Sequence, residues 1–315
     1  MKSKKRILAY ICAIIMIMAM ALIYNFKQQN EYYIPEIATL AIGLFLLPHQ
    51  VWETPPKTLI FLTMVYSSLG AIVANTQLPI VVQIPLVFFL CAYGLWRSHT
   101  AYTPLIAIAI LPIMFQTASI VYPLLMTSFA VILEIMQSLL IKIHALEPQV
   151  YTPVQFDEYA ELVLFGKRFL VIVIFSLFDQ LMSTPLLFAP PIFMAFYEMS
   201  GSEKLRDRSL SLYIVAIFMA FVGAYLRYFL CVQQNLSLLF VIGFTVIVLI
   251  MCQLQFEIFY PPIGAICLLP MIIDESLLLL YPCFVSVGMI LSIFASYYIA
   301  YKKDEDEEEE LLNEE

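Results

Sequence analysis

Long apolar stretches recur along the chain, separated by short polar breaks. They predict membrane-spanning helices near residues 7–24, 34–48, 58–75, 79–95, 102–115, 119–141, 168–184, 186–199, 210–230, 236–256, 260–272 and 276–300. Four of these segments are short, at about 20 Å of helix for a rise of about 1.5 Å per residue. The pattern predicts an all-α, polytopic integral membrane helix bundle with about 12 membrane segments.

Composition agrees with a bilayer as the main solvent. The chain is 62% hydrophobic and 13% charged, whereas soluble domains run near 45–50% apolar and about 25% charged. The predicted partners are the lipid bilayer, a small solute or anion, and a further copy of the chain or a membrane partner protein. No nucleic-acid partner is predicted.

The distribution of Lys and Arg predicts the orientation, because these residues favour the cytoplasmic side. If every segment crosses and the N-terminus is cytoplasmic, only Lys27 and Arg227 lie outside. If the four short segments re-enter instead, Lys57, Arg97 and the basic loop 204–208 move outside. Twelve crossings are therefore favoured, with both termini cytoplasmic in a multi-pass protein of the cell (plasma or inner) membrane.

Polar breaks divide the chain into four parts. We expect membrane repeat 1 over 1–143, a cytoplasmic linker over 144–166 with a surface helix around 156–164, membrane repeat 2 over 167–301, and an acidic cytoplasmic tail over 302–315. The first apolar stretch is interpreted as a retained helix rather than a cleaved signal peptide. The tail is typical of a solvated, disordered end, with docking through its two leucines as the alternative.

Five landmarks recur in the same order and at nearly constant spacing. They are Lys5-Arg6 with Lys167-Arg168, Pro35 with Pro190, Gly70-Ala71 with Gly223-Ala224, Tyr102-x-Pro104 with Tyr260-x-Pro262, and Tyr122-Pro123 with Tyr281-Pro282. This pattern is typical of a duplication. With six crossings each, the halves are parallel internal repeats, related by a pseudo-two-fold axis along the membrane normal.

The candidate substrate path lies at the two proline corners. Matching short, Pro-interrupted segments in two halves point to a midplane binding site, and a helix that starts there turns its positive end inward. A structural corner without a ligand is the alternative. The candidate residues at the corners are Tyr102, Pro104, Tyr260, Pro261, Pro262 and Gly264, with the glycine expected to admit a close backbone approach.

Glu134 and Gln137 are further candidates, because ionisable groups inside spans are rare. Glu134 is interpreted either as a proton- or ion-coupling group or as a satisfied structural contact. Five other acidic residues lie near segment ends, where solvation is the default expectation: Asp179, Glu198, Glu257, Asp274 and Glu275.

No pattern typical of an enzyme is present. The three histidines are scattered, and the six cysteines stand singly in apolar runs, as small buried residues do. Neither a metal site, a cofactor nor a catalytic residue is predicted.

The second half resembles the HPP transmembrane family, whose signature is His-Pro-Pro, then Ala-Gly-Ala, then an apolar run ending in Pro. The matching residues are Tyr260-Pro261-Pro262, Gly264-Ala265 and Pro270. The signature histidine is Tyr260 here, so any role of its imidazole is lost or altered. The first half resembles a diverged copy.

The resemblance implies nitrite uptake, which some members of that family are associated with. We therefore expect a secondary transporter or channel for a small solute, with an inorganic anion such as nitrite as the implied substrate class. The alternative is a non-catalytic membrane scaffold or accessory subunit, and a membrane enzyme is less favoured. Bacterial aromatic-acid exporters also share a plan of two six-span halves, but usually carry a large soluble part.

Overall fold

The computed structural model describes residues 2–47, 49–117, 119–155, 158–182 and 186–314. Within these residues every regular element is a helix. The helices of the first half are α1 (Lys2–Lys27), α2 (Glu36–Phe45), α3 (Pro56–Ala74), α4 (Ile80–Ser98), α5 (Pro104–Met114) and α6 (Val121–Lys142). Each apolar segment predicted in the first half overlaps one of these six helices.

The second half holds the remaining helices. They are α7 (Glu158–Met182), α8 (Pro190–Gly201), α9 (Glu203–Asp207), α10 (Ser209–Leu226, extended by a π-helical turn, Arg227–Gln233), α11 (Leu238–Phe256), α12 (Pro262–Leu268, extended by a 3-10 turn, Leu269–Met271) and α13 (Tyr281–Glu314). Each apolar segment predicted in this half overlaps one of these helices.

Proline fixes where the short helices begin. Thr103-Pro104 starts α5, Pro190 starts α8 and Pro262 starts α12, each with proline in the first turn. Proline suits this position because the first N–H groups of a helix have no intrahelical partner. The preceding helices α4 and α11 end at His99 and Glu257, which both adopt left-handed backbone angles that stop a helix.

The four short helices form the centre of the molecule. Helix α2 packs against α12 and α5, and α8 packs against α5 and α12. Every residue of α2 and of α12 is buried, as are nearly all residues of α5 and α8. The core thus joins short helices from both halves of the chain.

Eight long helices surround this core as a closed ring. Successive contacts run from α1 to α11, α10, α13, α7, α4, α3, α6 and back to α1. Their outward faces carry large apolar side chains, among them Phe61 of α3 (58% exposed), Leu210 of α10 (68%) and Phe294 of α13 (70%). A water-soluble protein rarely shows apolar surface all round.

Seven of the ring helices, among the described residues, are long and apolar enough to cross a membrane. The prediction of an all-helical, multi-pass membrane protein is confirmed at this level. The eighth ring helix, α7, is 25 residues long but carries Lys167, Arg168 and Asp179.

Two stretches differ from expectation. The predicted surface helix and the predicted span from 168 form one continuous helix, α7, that begins at Glu158; residues 156–157 lie outside the described residues. Helix α13 runs on to Glu314 through the acidic stretch, which is rich in Glu, Leu and Lys, all good helix formers.

Candidate functional site

The first proline corner places Tyr102 inside the core. Its side chain is fully buried, and its hydroxyl lies 2.8 Å from Oγ1 of Thr63 on α3. The Tyr102 ring meets the ring of Trp52 edge to face, with the centroids 5.6 Å apart. Trp52 comes from the loop between α2 and α3, and its indole covers Gly43 near the end of α2. This corner therefore ties together the ends of α2, α3 and α5.

The second corner places Tyr260 at the start of α12. Pro261 and Pro262 are in helical conformation at the first turn, and Tyr260 is 3% exposed. Its hydroxyl approaches the carbonyl oxygen of Ala195 on α8 at 3.5 Å and is placed to donate to the Glu198 carboxyl, one turn further along α8. Tyr260 thus brings a buried hydroxyl from the second corner towards a carboxyl of α8.

Glu198 is where the two corners meet. Oγ1 of Thr103, the residue between Tyr102 and Pro104, donates a hydrogen bond to its Oε1. The hydroxyl of Tyr260, which lies in the same half as Glu198, and the indole of Trp52, from the first half, also interact with this carboxyl. Nε1 of Trp52 makes no hydrogen bond to a described protein group. One carboxyl is therefore surrounded by donors from α5, α12 and the loop after α2.

Glu134 and Gln137 lie beside the first corner. Both are buried on α6, at 3% and 1% exposure. Nε2 of Gln137 donates to the carbonyl oxygen of Leu44 near the end of α2, at 3.4 Å. Both carboxyl oxygens of Glu134 lack a hydrogen-bond partner among the described groups, although the carboxyl is close enough to act electrostatically on Tyr102. The interpretation of Glu134 as a satisfied structural contact requires a hydrogen-bond partner, and no described group provides one.

Gly264 lies where α12 crosses α2. A Cβ atom at this position would be 3.1 Å from the backbone carbon of Ala38 and 2.5 Å from Cδ1 of Ile42. Only hydrogen fits between these backbones without movement of the neighbours. The glycine sets a close approach between a helix of one half and a helix of the other.

Arg168 holds α8 in place next to Glu198. Its Nε donates to Oγ of Ser200 at 2.8 Å, and its guanidinium lies 4.1 Å from the centre of the Tyr197 ring. A salt bridge of 3.1 Å to Glu161 on the same helix completes the arrangement. Because Tyr197 and Ser200 flank Glu198 in sequence, this buried arginine fixes the α8 turn that carries the carboxyl.

Two carboxyl residues of the core are not among the candidates predicted from the sequence. Glu198 lies near a segment end, where solvation is the default, yet it is half-buried and bonded to Thr103. Glu36, directly after Pro35, is fully buried at the start of α2. The position of Glu36 in the first turn of a short apolar segment is the sequence feature that could have identified it as a buried carboxyl. Asp179 is also buried, at 8% exposure, whereas Glu257, Asp274 and Glu275 are exposed as expected.

The arrangement suits proton exchange at the end of a helical core. Carboxyl groups within membrane segments almost always face the interior of the helix bundle or a water-filled cavity rather than lipid, and they often mark functional sites. Within the described residues, no group of three or more His, Cys, Asp or Glu side chains is placed to hold a metal ion. The groups present can bind and release protons and can donate hydrogen bonds to a small polar solute.

Comparisons of the chain with protein-family models, with curated proteins and with solved structures find no match. The resemblance to the HPP family therefore stays a prediction that depends on the residues around Tyr260 and Pro270.

Proposed function

We propose that the chain is a proton-coupled secondary transporter for a small solute, with its solute path at the two proline corners. The observation that carries this proposal is the convergence of both corners on one carboxyl. Thr103 of the first corner and Tyr260 of the second contact Glu198. Corner residues from two halves that share one ionisable group are the arrangement expected of a transporter site between repeats.

Paired contacts support the two-repeat organisation that this proposal assumes. The Tyr122 hydroxyl donates to the carbonyl of Ile108 on α5 at 2.6 Å, and the Tyr281 hydroxyl donates to the carbonyl of Ile266 on α12 at 2.8 Å. A Cβ at Gly70 would lie 2.2 Å from the carbonyl oxygen of Ala109, and one at Gly223 would lie 2.0 Å from that of Cys267. Landmarks predicted from the repeat thus make the same contacts in both halves.

Contacts between loops support twelve crossings with the corners on the cytoplasmic side. His49 lies 3.2 Å from Glu147, and the N–H of Val154 donates to the carbonyl of His99 at 2.9 Å. The Tyr297 hydroxyl donates to the carbonyl of Arg206 at 2.8 Å. Twelve crossings assign five of these residues to cytoplasmic loops, namely His49, His99, Glu147, Val154 and Arg206, and place Tyr297 at the cytoplasmic end of the last predicted span. Both termini are cytoplasmic under this proposal, and the membrane is the cell (plasma or inner) membrane.

The protonation state of Glu198 determines whether an anion can bind at this site. An ionised Glu198 would repel an anion such as nitrite, while a protonated Glu198 offers it a hydrogen-bond donor. An anion therefore enters this site only together with a proton. The proposed activity is symport of a small anion with a proton, with nitrite as the probe implied by the family resemblance.

Reconstituted vesicles test this proposal directly. Purified protein is placed in liposomes that contain a pH-sensitive dye, and potassium nitrite or potassium nitrate is added outside. We expect anion entry with simultaneous internal acidification, above the rate in protein-free liposomes. The Glu198→Gln variant should lower both rates at least tenfold. Glu203→Gln, which alters an exposed carboxyl on α9, should match the wild type.

Two outcomes oppose the proposal. If the wild-type protein moves neither anion, with or without a pH gradient, the proposed transport of small anions is rejected. Constant co-purification of one membrane partner protein would then favour the alternative function as a membrane scaffold. Equal rates for wild type and Glu198→Gln would reject the site.

A further inference from the structure

Glu36 is the most completely enclosed carboxyl in the described part of the core. It follows Pro35 as the first residue of α2, and its exposure is 0%. Its own backbone N–H interacts with the carboxyl, but neither carboxyl oxygen has a hydrogen-bond partner elsewhere among the described groups, and no described Lys or Arg forms an ion pair with it. An ionised carboxylate without a partner in such a site is costly by several kcal/mol, so the group is suited to carry a proton.

The surroundings of Glu36 offer oxygen atoms rather than cations. The hydroxyl groups of Tyr33, Tyr122 and Tyr281 are close enough to interact electrostatically with it. Each hydroxyl proton is already committed, to the carbonyls of Leu268 at 3.1 Å, Ile108 at 2.6 Å and Ile266 at 2.8 Å, respectively. Each of these phenol oxygens therefore keeps its capacity to accept a hydrogen bond.

One cation lies near this end of the core. Arg227, in the π-helical turn after α10, donates to the carbonyl oxygens of Pro270 and Ile273 and interacts electrostatically with Tyr33, but no ion pair joins it to Glu36 among the described residues. Tyr24 of α1 packs edge to face against Tyr33, with ring centroids 5.1 Å apart, and Cys267 of α12 interacts electrostatically with Tyr33. Helix α5 contains no titratable residue. Among the residues that the structure describes, Glu36 is thus the one acidic residue of the four short core helices at this end of the core.

A second unpartnered polar group lies on the same face of α2. Thr39 is 1% exposed, and its Oγ1 has no hydrogen-bond partner among the described groups. Residues three and seven positions apart share a helix face, so Glu36, Thr39 and Gly43 point the same way. The Trp52 indole lies on Gly43 and approaches Glu198. This face of α2 therefore leads from Glu36 to the site at the corners, over about 10 Å of helix.

We propose that Glu36 is a second proton-binding site of the protein, with Thr39 beside it on the route towards Glu198. In the enclosed state Glu36 holds its proton as a carboxylic acid. When this end of the core opens, the O–H bond of Glu36 breaks, the proton passes to water, and the carboxylate becomes solvated. The use of this proton for coupling depends on the proposed transport function, whereas the binding of the proton does not.

Infrared spectroscopy tests proton binding without a transport assay. The full chain in lipid nanodiscs is recorded through a series of pH steps, and the carbonyl stretch of protonated carboxyl groups is followed. We expect Glu36→Gln to remove one band of the wild-type spectrum, and Thr39→Val to shift that same band by changing its hydrogen bonding. Glu31→Gln, which alters a half-buried carboxyl before the same helix, should leave the band in place.

Vesicle transport then tests the use of the proton. Glu36→Gln should still exchange labelled nitrite or nitrate between equal concentrations on the two sides. Its accumulation of the anion driven by a pH gradient should fall at least tenfold. A spectrum unchanged by Glu36→Gln would overturn the proton-binding site. Full gradient-driven accumulation in Glu36→Gln would overturn its coupling role, while absence of all wild-type transport would refute only the proposed function.

Discussion

Single hydrogen bonds define the candidate site at the scale of residues. Thr103 is the residue before α5, where a threonine side chain usually caps the N–H groups of its own helix. Here it makes no such cap and donates instead to Glu198 of α8. A residue type typical of a local role thereby links the first half of the chain to the second.

Replacement of Thr103 tests this link. We expect Thr103→Val to lower the free energy of unfolding by about 1–3 kcal/mol, because a half-buried carboxyl loses a donor while the shape of the side chain is kept. Thr103→Ser retains the hydroxyl and should lose less than about 1 kcal/mol. Thermal unfolding in detergent, followed by loss of the monodisperse peak, measures both. Equal losses for valine and serine would show that the methyl group matters rather than the hydrogen bond.

The sequence identifies only some of these residues, for physical reasons. Tyr102, Tyr260, Glu134 and Gln137 were predictable because polar groups stand out within apolar runs. Glu198 was not, because hydropathy places it at a segment end and cannot reveal that Thr103 and Tyr260 reach it from distant positions in the chain. Contacts between residues far apart in sequence are decided by helix packing, which a single sequence does not record.

At the scale of elements, a tyrosine compensates each internal proline of the core. Pro112 lacks an N–H, so the carbonyl of Ile108, four residues earlier, loses its helical partner. The Tyr122 hydroxyl of α6 donates to that carbonyl. Pro270 and Ile266 stand in the same relation in α12, and the Tyr281 hydroxyl of α13 supplies the missing donor. A proline within a membrane helix is tolerated when a neighbouring helix satisfies the freed group.

This relation predicts the effect of removing either hydroxyl. Tyr122→Phe and Tyr281→Phe should each lower the free energy of unfolding by about 1–3 kcal/mol, because a buried carbonyl is left without a donor. Tyr93→Phe, at a position 49% exposed, should have little effect. Unfolding in mixed micelles with increasing SDS gives the comparison.

A double-mutant cycle identifies the cause of the loss. Pro112→Ala restores an N–H opposite the Ile108 carbonyl, so Tyr122→Phe should lose less stability in that background than in the wild type. A loss of equal size in both backgrounds would show that the tyrosine contributes by packing alone.

At the scale of the molecule, the two halves carry their carboxyls at different ends of the core. Glu198 lies eight residues after Pro190, and Gly43 lies eight residues after Pro35. Where the second half has a carboxyl, the first has a glycine covered by Trp52. Conversely, Glu36 opens α2, while proline occupies the matching position, Pro191, in α8. The four short helices thereby carry one acidic group near each end of the core, an asymmetry that the proposed proton-coupled transport would use.

The overall architecture was partly predictable. Every predicted segment overlaps a helix because apolar length and proline position determine where membrane helices form. The inner position of α2, α5, α8 and α12 was not evident, because an apolar helix faces lipid or protein equally well by composition. Their burial on all sides distinguishes them, and their shortness fits a core enclosed by longer helices.

The crossing of the short helices determines the orientation of the whole chain and can be tested on α9. This helix follows α8 and carries Lys204, which twelve crossings place in the cytoplasm and re-entrant short segments place outside. In a variant with all six cysteines replaced by alanine, we expect Lys204→Cys to react with a membrane-impermeant maleimide in inside-out vesicles and not in intact cells. Asn30→Cys, exposed between α1 and α2, should show the opposite pattern because it lies outside under both arrangements.

Labelling of Lys204→Cys in intact cells would place the end of α8 outside. Glu198 would then face the exterior rather than the cytoplasm.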